Sequence, residues 1–323
     1  MSVLRRGDRG PRVVELQRAI AAATDIPLGL DGVFGEQTEQ ALVVYQFGKG
    51  LDRDGIAGPA TMRALGFGEW DGVPSSAPPT QPTGDPHAIP TPPAGWIVGV
   101  DISDAQGIVD AKALHRAGVS FAWIKVSDGR HDGQKHAARN AKRFVDEGIA
   151  IGFYGVLEPY GEASVEEQVA NFCRRSRETG IDPTLPDWCD FELARGLSGA
   201  SALASAASWC ELVQDVNGRR PMIYTGPAFI STLAKIAGGG ARAILDRIEP
   251  FPLAVAHYGP TIERGPMVPG PWLDWTVWQY SGDPPIAGQK ARPWSYMPGT
   301  KQPIDVDYFR GTIEDLIALG ALA

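Results

Sequence analysis

The chain of 323 residues is poor in cysteine, in histidine and in long apolar runs, and each shortage excludes a class of protein. Its three cysteines, Cys173, Cys189 and Cys210, form an odd set without Cys-x-x-Cys spacing, which indicates reduced structural thiols rather than disulfides or a zinc site. Five histidines occur without a His-Glu-x-x-His spacing, which disfavours a zinc amidase or peptidase. We therefore expect no metal and no other cofactor.

Apolar segments that direct a chain to a membrane are lacking as well. The first residues, MSVLRRGD, do not lead into the apolar core of a secretory signal, and no apolar run approaches the roughly 20 residues of a membrane span. These features predict a soluble protein made in the cytoplasm, without membrane insertion. If its substrate lies outside the cell membrane, another agent must release the protein.

The net charge of −8 falls in the larger part of the chain. Residues 1–67 contain eight basic and eight acidic residues, whereas the remainder contains 22 basic and 30 acidic residues. Phosphate binding needs a cationic face, so a nucleic acid or an anionic membrane surface is a disfavoured partner. We expect the protein to be a monomer.

Proline separates two folded parts of the chain. Residues 68–95 contain eight prolines interleaved with Ser, Thr, Gly and Asp. Such a composition cannot bury a core and favours extended polyproline conformations. We therefore predict a small domain at residues 1–67, a linker at residues 68–95 and a large domain at residues 96–323.

The small domain is predicted to contain three helices and two similar turns. Val13, Leu16 and Ile20 share one face of the first helix, and the turns Asp31–Gly35 and Asp54–Gly58 precede the second and third helices. The repeated turn suggests an internal duplication. The region resembles the bacterial peptidoglycan-binding domain of three-helix type, which implies attachment to the cell wall without catalysis. The matching positions are Leu4, Gly7, Asp8, Gly10, Val13, Leu16, Gln17, Asp31, Gly32, Phe34, Gly35, Thr38, Tyr45, Gln46, Gly50, Leu51, Asp54, Gly55, Ile56, Gly58 and Thr61.

In the large domain, short apolar runs alternate with helical stretches near residues 110–117, 136–147, 164–179, 200–217, 227–236 and 312–322. Eight candidate strands in this length favour an α/β fold with an irregular TIM-like (β/α) barrel over an open sheet. The last three strands lack long helices between them, so the irregularity is expected there. The candidate strands are Ile97–Val100, Ala122–Lys125, Ala150–Tyr154, Trp188–Glu192, Met222–Tyr224, Leu253–Ala256, Thr276–Tyr280 and Ile304–Tyr308.

Chemistry in such a barrel lies at the carboxyl ends of the strands. Carboxylates collected in one cleft repel one another, but glycoside hydrolysis uses one carboxylic acid to protonate the leaving oxygen and a second carboxylate to stabilise or attack the sugar cation. The polar residues predicted at the strand ends are Asp101, Lys125, Tyr154, Asp190, Glu192, Tyr224, His257, Tyr258, Gln279 and Asp305.

The segment Asp190-Phe191-Glu192 is the strongest candidate for the acid pair. Residues two apart on a strand face the same side, so both carboxylates would face the barrel mouth while Phe191 packs outward. Neighbouring charge and burial would raise one pKa, and we assign Glu192 as the general acid because its side chain reaches farther. Asp190 would then stabilise the cation or orient the substrate. By itself, an Asp-x-Glu segment is a weak signal, and two exposed acids at a strand end are then the favoured interpretation.

Residues 96–311 resemble glycoside hydrolase family 25, the muramidases of bacteria and phages. The resemblance implies a barrel of parallel and antiparallel strands, hydrolysis of the β-1,4 bond after N-acetylmuramic acid, catalysis by Glu192 and Asp190, and a cleft lined by Asp101 and Asp305. The sequence departs from the family pattern at Asp128, where Glu is usual, at Asp307, where Asn is usual, and at Leu157-Glu158. The matching stretches are Gly99–Ser103, Phe121–Gly129, Gly152–Tyr154, Asp190–Glu192, Pro221–Thr225, Leu253–Gly259, Trp278–Tyr280 and Ile304–Phe309.

Other polar and aromatic residues have two interpretations. Lys125 can bind a substrate group or pair with a neighbouring acid, and a tyrosine can bind sugar or pack in the core. Cys189 would point away from Asp190 as a packed thiol. Of the three tryptophans Trp272, Trp275 and Trp278, we favour a core position for at least two. The candidates for substrate binding are Lys125, Tyr154, Tyr224, Tyr258 and Gln279.

The two parts together favour an N-acetylmuramidase that acts as a phage-type endolysin. Such an enzyme would be held in the host cytoplasm and released at lysis to the periplasm or cell wall. An autolysin exported by an unconventional route fits the same architecture. A wall-binding structural protein with an inactive barrel, and a hydrolase of another N-acetylated glycan such as chitin, are the alternatives. The separation of the carboxylates, which decides retention or inversion, does not follow from the sequence.

Overall fold

The computed structural model describes residues 3–24, 28–49, 51, 55–67, 92–131, 133–194, 197–257, 262, 265–281 and 297–321, without the side chains of 36, 40, 43, 47 and 48. The chain divides into two compact units, one with the N-terminal helices and one with a closed barrel. Most of the predicted linker, residues 68–91, lies outside the described residues.

Three helices form the N-terminal unit, as predicted: α1 (Pro11–Thr24), α2 (Glu36–Gly48) and α3 (Pro59–Ala64). The apolar face of α1 is buried completely, together with Phe34 from the first turn and Met62 from α3. Burial of this face supplies most of the stability of such short helices, which are marginal alone in water.

Two buried glutamines hold the repeated turns in the same way, which supports the predicted duplication. Gln17 at the centre of α1 and Gln46 near the end of α2 each use both ends of the side-chain amide. Each therefore has its buried polar atoms satisfied while it fixes a turn against a helix. The respective partners, at 2.9–3.1 Å, are the carbonyls of Val33 and Ile56, the hydroxyls of Thr38 and Thr61, and the N–H groups of Gly32 and Gly55.

The large unit is a closed eight-stranded barrel, which confirms the predicted TIM-like fold. Neighbouring strands are parallel from the first to the seventh, whereas the eighth is antiparallel to both the seventh and the first. The expected irregularity is therefore a reversed last strand. The strands are β1 (Trp96–Ile102), β2 (Val119–Asp128), β3 (Ala150–Val156), β4 (Trp188–Asp190), β5 (Met222–Thr225), β6 (Leu253–Ala256), β7 (Val277–Ser281) and β8 (Asp305–Arg310).

Helices connect most of the parallel strands, and one of them was not predicted. This helix, Ala241–Ile248, lies between β5 and β6, after the helix Pro227–Ala237 and a 3-10 turn at Gly238–Gly240. The helices are α4 (Ala111–Arg116), α5 (Ala137–Asp146), α6 (Val165–Glu178), α7 (Gly199–Asn217), α8 (Pro227–Ala237), α9 (Ala241–Ile248) and α10 (Ile313–Ala318).

The stretch Pro227–Ile248, which comprises α8 and α9, is long and apolar enough by length and composition for a membrane span. The prediction that no run approaches this length is therefore wrong by that criterion. The stretch is broken at Gly238–Gly240, and α9 packs against α7. It joins two adjacent parallel strands, which require a crossover connection of this kind.

Large aromatic side chains fill the interior of the barrel. The rings of Trp123 and Trp188 stack with centroids 4.1 Å apart, and Tyr224 stacks on Trp188 at 5.3 Å. Gly152 makes the first stack possible, because a Cβ there would lie 2.5 Å from the indole nitrogen of Trp123. Trp123 and Trp188 each lie two residues before a polar residue on the same inner face, Lys125 in β2 and Asp190 in β4. The aromatic stack therefore underlies the polar end of the barrel.

Candidate active site

The reversed strand β8 brings together two acids that are distant in sequence. Asp101, near the end of β1, and Asp305, at the start of β8, are direct partners in the strand register, and their side chains are hydrogen-bonded. The prediction that Asp305 lies at the carboxyl end of its strand is wrong. Because β8 is antiparallel, its start lies where β1–β7 end, which we call the mouth of the barrel.

Asp101 is held by a relay of two side chains that were predicted to bind substrate. The Gln279 amide nitrogen donates to Asp101 Oδ2 at 2.5 Å, and the Tyr224 hydroxyl donates to the Gln279 amide oxygen at 2.8 Å. Burial raises the pKa of Asp101 to about 6, while the hydrogen bonds from Gln279 and Asp305 oppose this rise. Gln279 and Tyr224 therefore orient an acid at the mouth, and their contact with substrate stays a prediction.

Asp190 ends β4 and is half-buried. Burial raises its pKa to about 7; the positive charge of Lys125 lowers it, and the negative charges of Asp101 and Asp128 raise it. Lys125 Nζ lies 2.6 Å from Asp128 Oδ2, so Lys125 pairs with a neighbouring acid, and its contact with substrate stays a prediction. The lysine thus influences two acids at once, by contact with Asp128 and through space with Asp190.

Glu192 lies two residues beyond the end of β4 and is partly buried. The strand predicted for Trp188–Glu192 is thus shorter than expected, and strand alternation does not set the direction of the Glu192 side chain. Phe191 is completely buried, and its N–H donates to the Tyr224 carbonyl at 2.9 Å. This bond extends the pairing with β5 by one residue and fixes the backbone between Asp190 and Glu192.

Tyr154, on β3 towards the carboxyl end of the strand, lies close enough to four acids to be influenced by their charge. Burial raises the pKa of its hydroxyl well above the ordinary value, and the negative charges of Asp101, Asp190, Asp305 and Asp128 add to this effect in that order. Tyr154 therefore keeps its proton and can donate a hydrogen bond. Tyr258, the remaining predicted tyrosine, lies outside the described residues.

Several aromatic and sulfur side chains near the site belong to the core. Trp272, Trp275 and Trp278 are each at most 8% exposed, which confirms the preferred interpretation. Cys189 is buried and hydrogen-bonded to the thiol of Cys210 from α7, so it is a packed thiol as predicted. These residues support the walls of the barrel.

Sequence reasoning noted Asp307 only as a departure from a family pattern, yet the structure places it beside the acids. It is completely buried on β8, with Gly99 of β1 and Gln279 of β7 as its register partners. Neither carboxyl oxygen has a hydrogen-bond partner among the described residues. Burial, and after it the charge of Asp101, raise the pKa of Asp307 well above the ordinary value. The two-residue spacing from Asp305 was the available signal.

Buried and half-buried carboxyl groups of differing pKa at one end of a barrel suit acid–base chemistry near neutral pH. Comparison with known families agrees with this chemistry, since residues 100–289 match the family described as Glycosyl hydrolases family 25. The chain belongs to this family. Within the N-terminal unit, residues 9–65 match the family described as Putative peptidoglycan binding domain.

Two relatives of this family 25 glycoside hydrolase match it over very different lengths. Lysozyme M1 of Streptomyces globisporus is 26% identical over 232 residues, which cover 69% of this chain and 71% of the relative. A probable N-acetylmuramoyl-L-alanine amidase of Bacillus licheniformis is 38% identical over 84 residues, 25% of this chain and 24% of that protein.

The solved structure of the bacterial lysozyme of Streptomyces coelicolor superposes with a TM-score of 0.55 at 24% identity, over 69% of this chain and 96% of that chain. At this identity the likeness concerns the fold alone. It agrees with the family assignment.

Proposed function

We propose that this family 25 hydrolase is an N-acetylmuramidase, which hydrolyses the β-1,4 bond between N-acetylmuramic acid and N-acetylglucosamine in peptidoglycan. The observation that carries the proposal is the group of acids at the barrel mouth, in which burial raises the pKa of Asp101 to about 6 and that of Asp190 to about 7. The match of residues 9–65 to a peptidoglycan-binding family and the likeness to Lysozyme M1 support peptidoglycan over chitin as the substrate.

In the proposed reaction, Glu192 is the general acid that protonates the glycosidic oxygen, and ionised Asp190 stabilises the sugar cation or orients the substrate. Asp101 and Asp305 line the cleft, with Asp101 oriented by the Gln279–Tyr224 relay. The protonated hydroxyl of Tyr154 is available as a hydrogen-bond donor to the sugar. Lys125 adjusts the pKa of Asp190 and thereby the pH range in which Asp190 is charged.

Product analysis tests this proposal directly. Purified peptidoglycan is digested, the new reducing ends are reduced with borohydride, and the fragments are identified by mass spectrometry. Fragments that end in reduced N-acetylmuramic acid are expected. Reduced N-acetylglucosamine ends or free stem peptides would assign a different bond, and absence of cleavage would favour the wall-binding protein with an inactive barrel.

We further propose that residues 1–67 localise the barrel on its substrate. Deleting them should lower activity on whole cell walls, because a tethered enzyme works at a high effective concentration of substrate. Turnover of short soluble glycans, which need no localisation, should change little. Equal loss on both substrates would instead mean that the small domain stabilises the barrel.

The pairing of a wall-binding unit with a hydrolase supports a role as a phage endolysin, stored in the host cytoplasm and released to the wall at lysis. Expression inside a bacterial host should then leave the cells intact until their membrane is permeabilised with chloroform, after which they should lyse. The Glu192→Gln variant is the matched control. Activity on the wall of intact, untreated cells would favour an exported autolysin.

A further inference from the structure

Among the described residues, Asp307 has no neighbouring group that would balance an ionised carboxylate. The side chain is completely buried, and neither oxygen has a partner among the described residues. In the strand register it lies opposite Gly99, which has no side chain, and Gln279, whose amide is already bonded to Asp101 and Tyr224. Burial of an unpaired charge is strongly unfavourable, so the carboxyl group is stable there only in its neutral form.

The groups that the structure describes around Asp307 do not include a compensating cation. From β1 it is faced by Asp101, and on its own strand Asp305 lies two residues away on the same face. On β7, the only titratable side chain is Tyr280, which packs against Trp278 on the other face of the strand.

Across the barrel, the lysine at the mouth, Lys125, is in an ion pair with Asp128. The surroundings of Asp307 are therefore acidic or neutral, and none of these groups favours its ionisation.

We propose that Asp307 is a positioning residue, whose carboxyl group keeps its proton in the working enzyme. Asp101, which lies nearer the mouth, is then the negatively charged acid of the two. If Asp307 ionised, its negative charge would disfavour the ionised form of Asp101. The hydrogen bond that the Asp101 carboxylate accepts from Gln279 would then be weaker. The neutral acid thus preserves the Asp101–Gln279–Tyr224 relay. The part of this proposal that concerns activity rests on the proposed hydrolase function, whereas the protonation of Asp307 can be measured without substrate.

Asp307→Asn replaces the neutral acid by a neutral group of the same shape, and its stability should depend differently on pH. Because the pKa of Asp307 is raised in the folded state, unfolding releases its proton, and the wild type loses stability as pH rises from the ordinary Asp range towards the raised pKa. The variant has no such proton. The ratio of the folding constants of variant and wild type should therefore grow about tenfold per pH unit.

This ratio is measured by chemical denaturation of the full chain at several pH values. Tryptophan fluorescence reports on the barrel, because residues 1–67 contain no tryptophan. Asp146→Asn, in an exposed pair with Lys142 on α5, is the control and should show a nearly constant ratio at neutral pH. A constant ratio for Asp307→Asn would mean that Asp307 is ionised in the folded protein and would overturn the proposal. Asp307→Leu, which is also uncharged, replaces it if Asp307→Asn does not fold.

The positioning role has a separate kinetic readout. In the wild type, ionisation of Asp307 at high pH places a charge beside Asp101, so kcat/KM on soluble glycans should fall further with rising pH in the wild type than in Asp307→Asn. The ratio of kcat/KM of the variant to that of the wild type should therefore rise with pH, since loss of the Glu192 proton affects both proteins alike. A ratio that does not change with pH would overturn this role. If the wild type cleaves no glycan at all, the proposed function fails, while the stability measurement still decides the protonation of Asp307.

Discussion

Glu192→Gln should lower kcat on soluble peptidoglycan fragments by about 10²–10⁴-fold, because an amide cannot donate the proton that the leaving oxygen needs. Such a loss equals about 3–5 kcal/mol of transition-state stabilisation. Initial rates of reducing-end formation measure it. Binding to whole cell walls, measured by co-sedimentation, should be retained, since the substitution leaves residues 1–67 intact.

The matched control is Glu162→Gln, in the connection between β3 and α6. Its side chain is 89% exposed and paired with Arg130, so the same chemical change there should leave kcat near the wild-type value. If Glu192→Gln retained more than about a tenth of the wild-type kcat, the general acid would have to be another group. Asp190, with a pKa raised to about 7, would then be the first candidate.

Lys125→Met should move the acid limb of kcat/KM to higher pH. The charge of Lys125 lowers the pKa of Asp190, and its removal also leaves Asp128 without its partner, so both effects raise that pKa. The proposed role requires ionised Asp190, so at a given pH below 7 a smaller fraction of Lys125→Met than of the wild type is active. On this limb, each unit by which the pKa rises costs about tenfold in rate.

Lys125→Arg keeps the positive charge and serves as the control, with the acid limb close to its wild-type position. Both profiles are measured on a soluble substrate, so that wall binding does not contribute. An acid limb unchanged in Lys125→Met would show that ionisation of Asp190 does not govern the reaction, and Asp190 would lose its proposed role.

Local sequence predicted the barrel strands because each is a short apolar run, and Leu253–Ala256 was predicted with its observed bounds. The helix α9 was missed because the three glycines at 238–240 interrupt the helical pattern before it. The strand containing Asp190 was predicted too long, since the apolar Phe191 continues the run although the chain leaves the sheet. Apolar patterning therefore locates elements better than it locates their ends.

The hydrogen bonds of the site join residues that are far apart in the sequence, so no local pattern predicts them. The bond from Gln279 to Asp101 joins residues 178 apart in sequence, and the bond from Tyr224 to Gln279 joins residues 55 apart. The direction of β8 is a property of the sheet, and it alone decides that Asp305 reaches the mouth. The isolation of Asp307 likewise depends on which neighbours the barrel places around it. The residue types were predictable, whereas their hydrogen bonds and burial were not.

The reversed strand also sets an order of events during synthesis. A ribosome makes β8 after the seven other strands, yet β8 alone bridges β7 and β1 and carries Asp305. Until it emerges, the nascent barrel has two open edges, which are prone to pair with other chains. The acid group is likewise incomplete until then. A chain that stops before residue 305 should therefore be inactive and prone to aggregate, so a translating cell holds no partly made enzyme able to cut glycan.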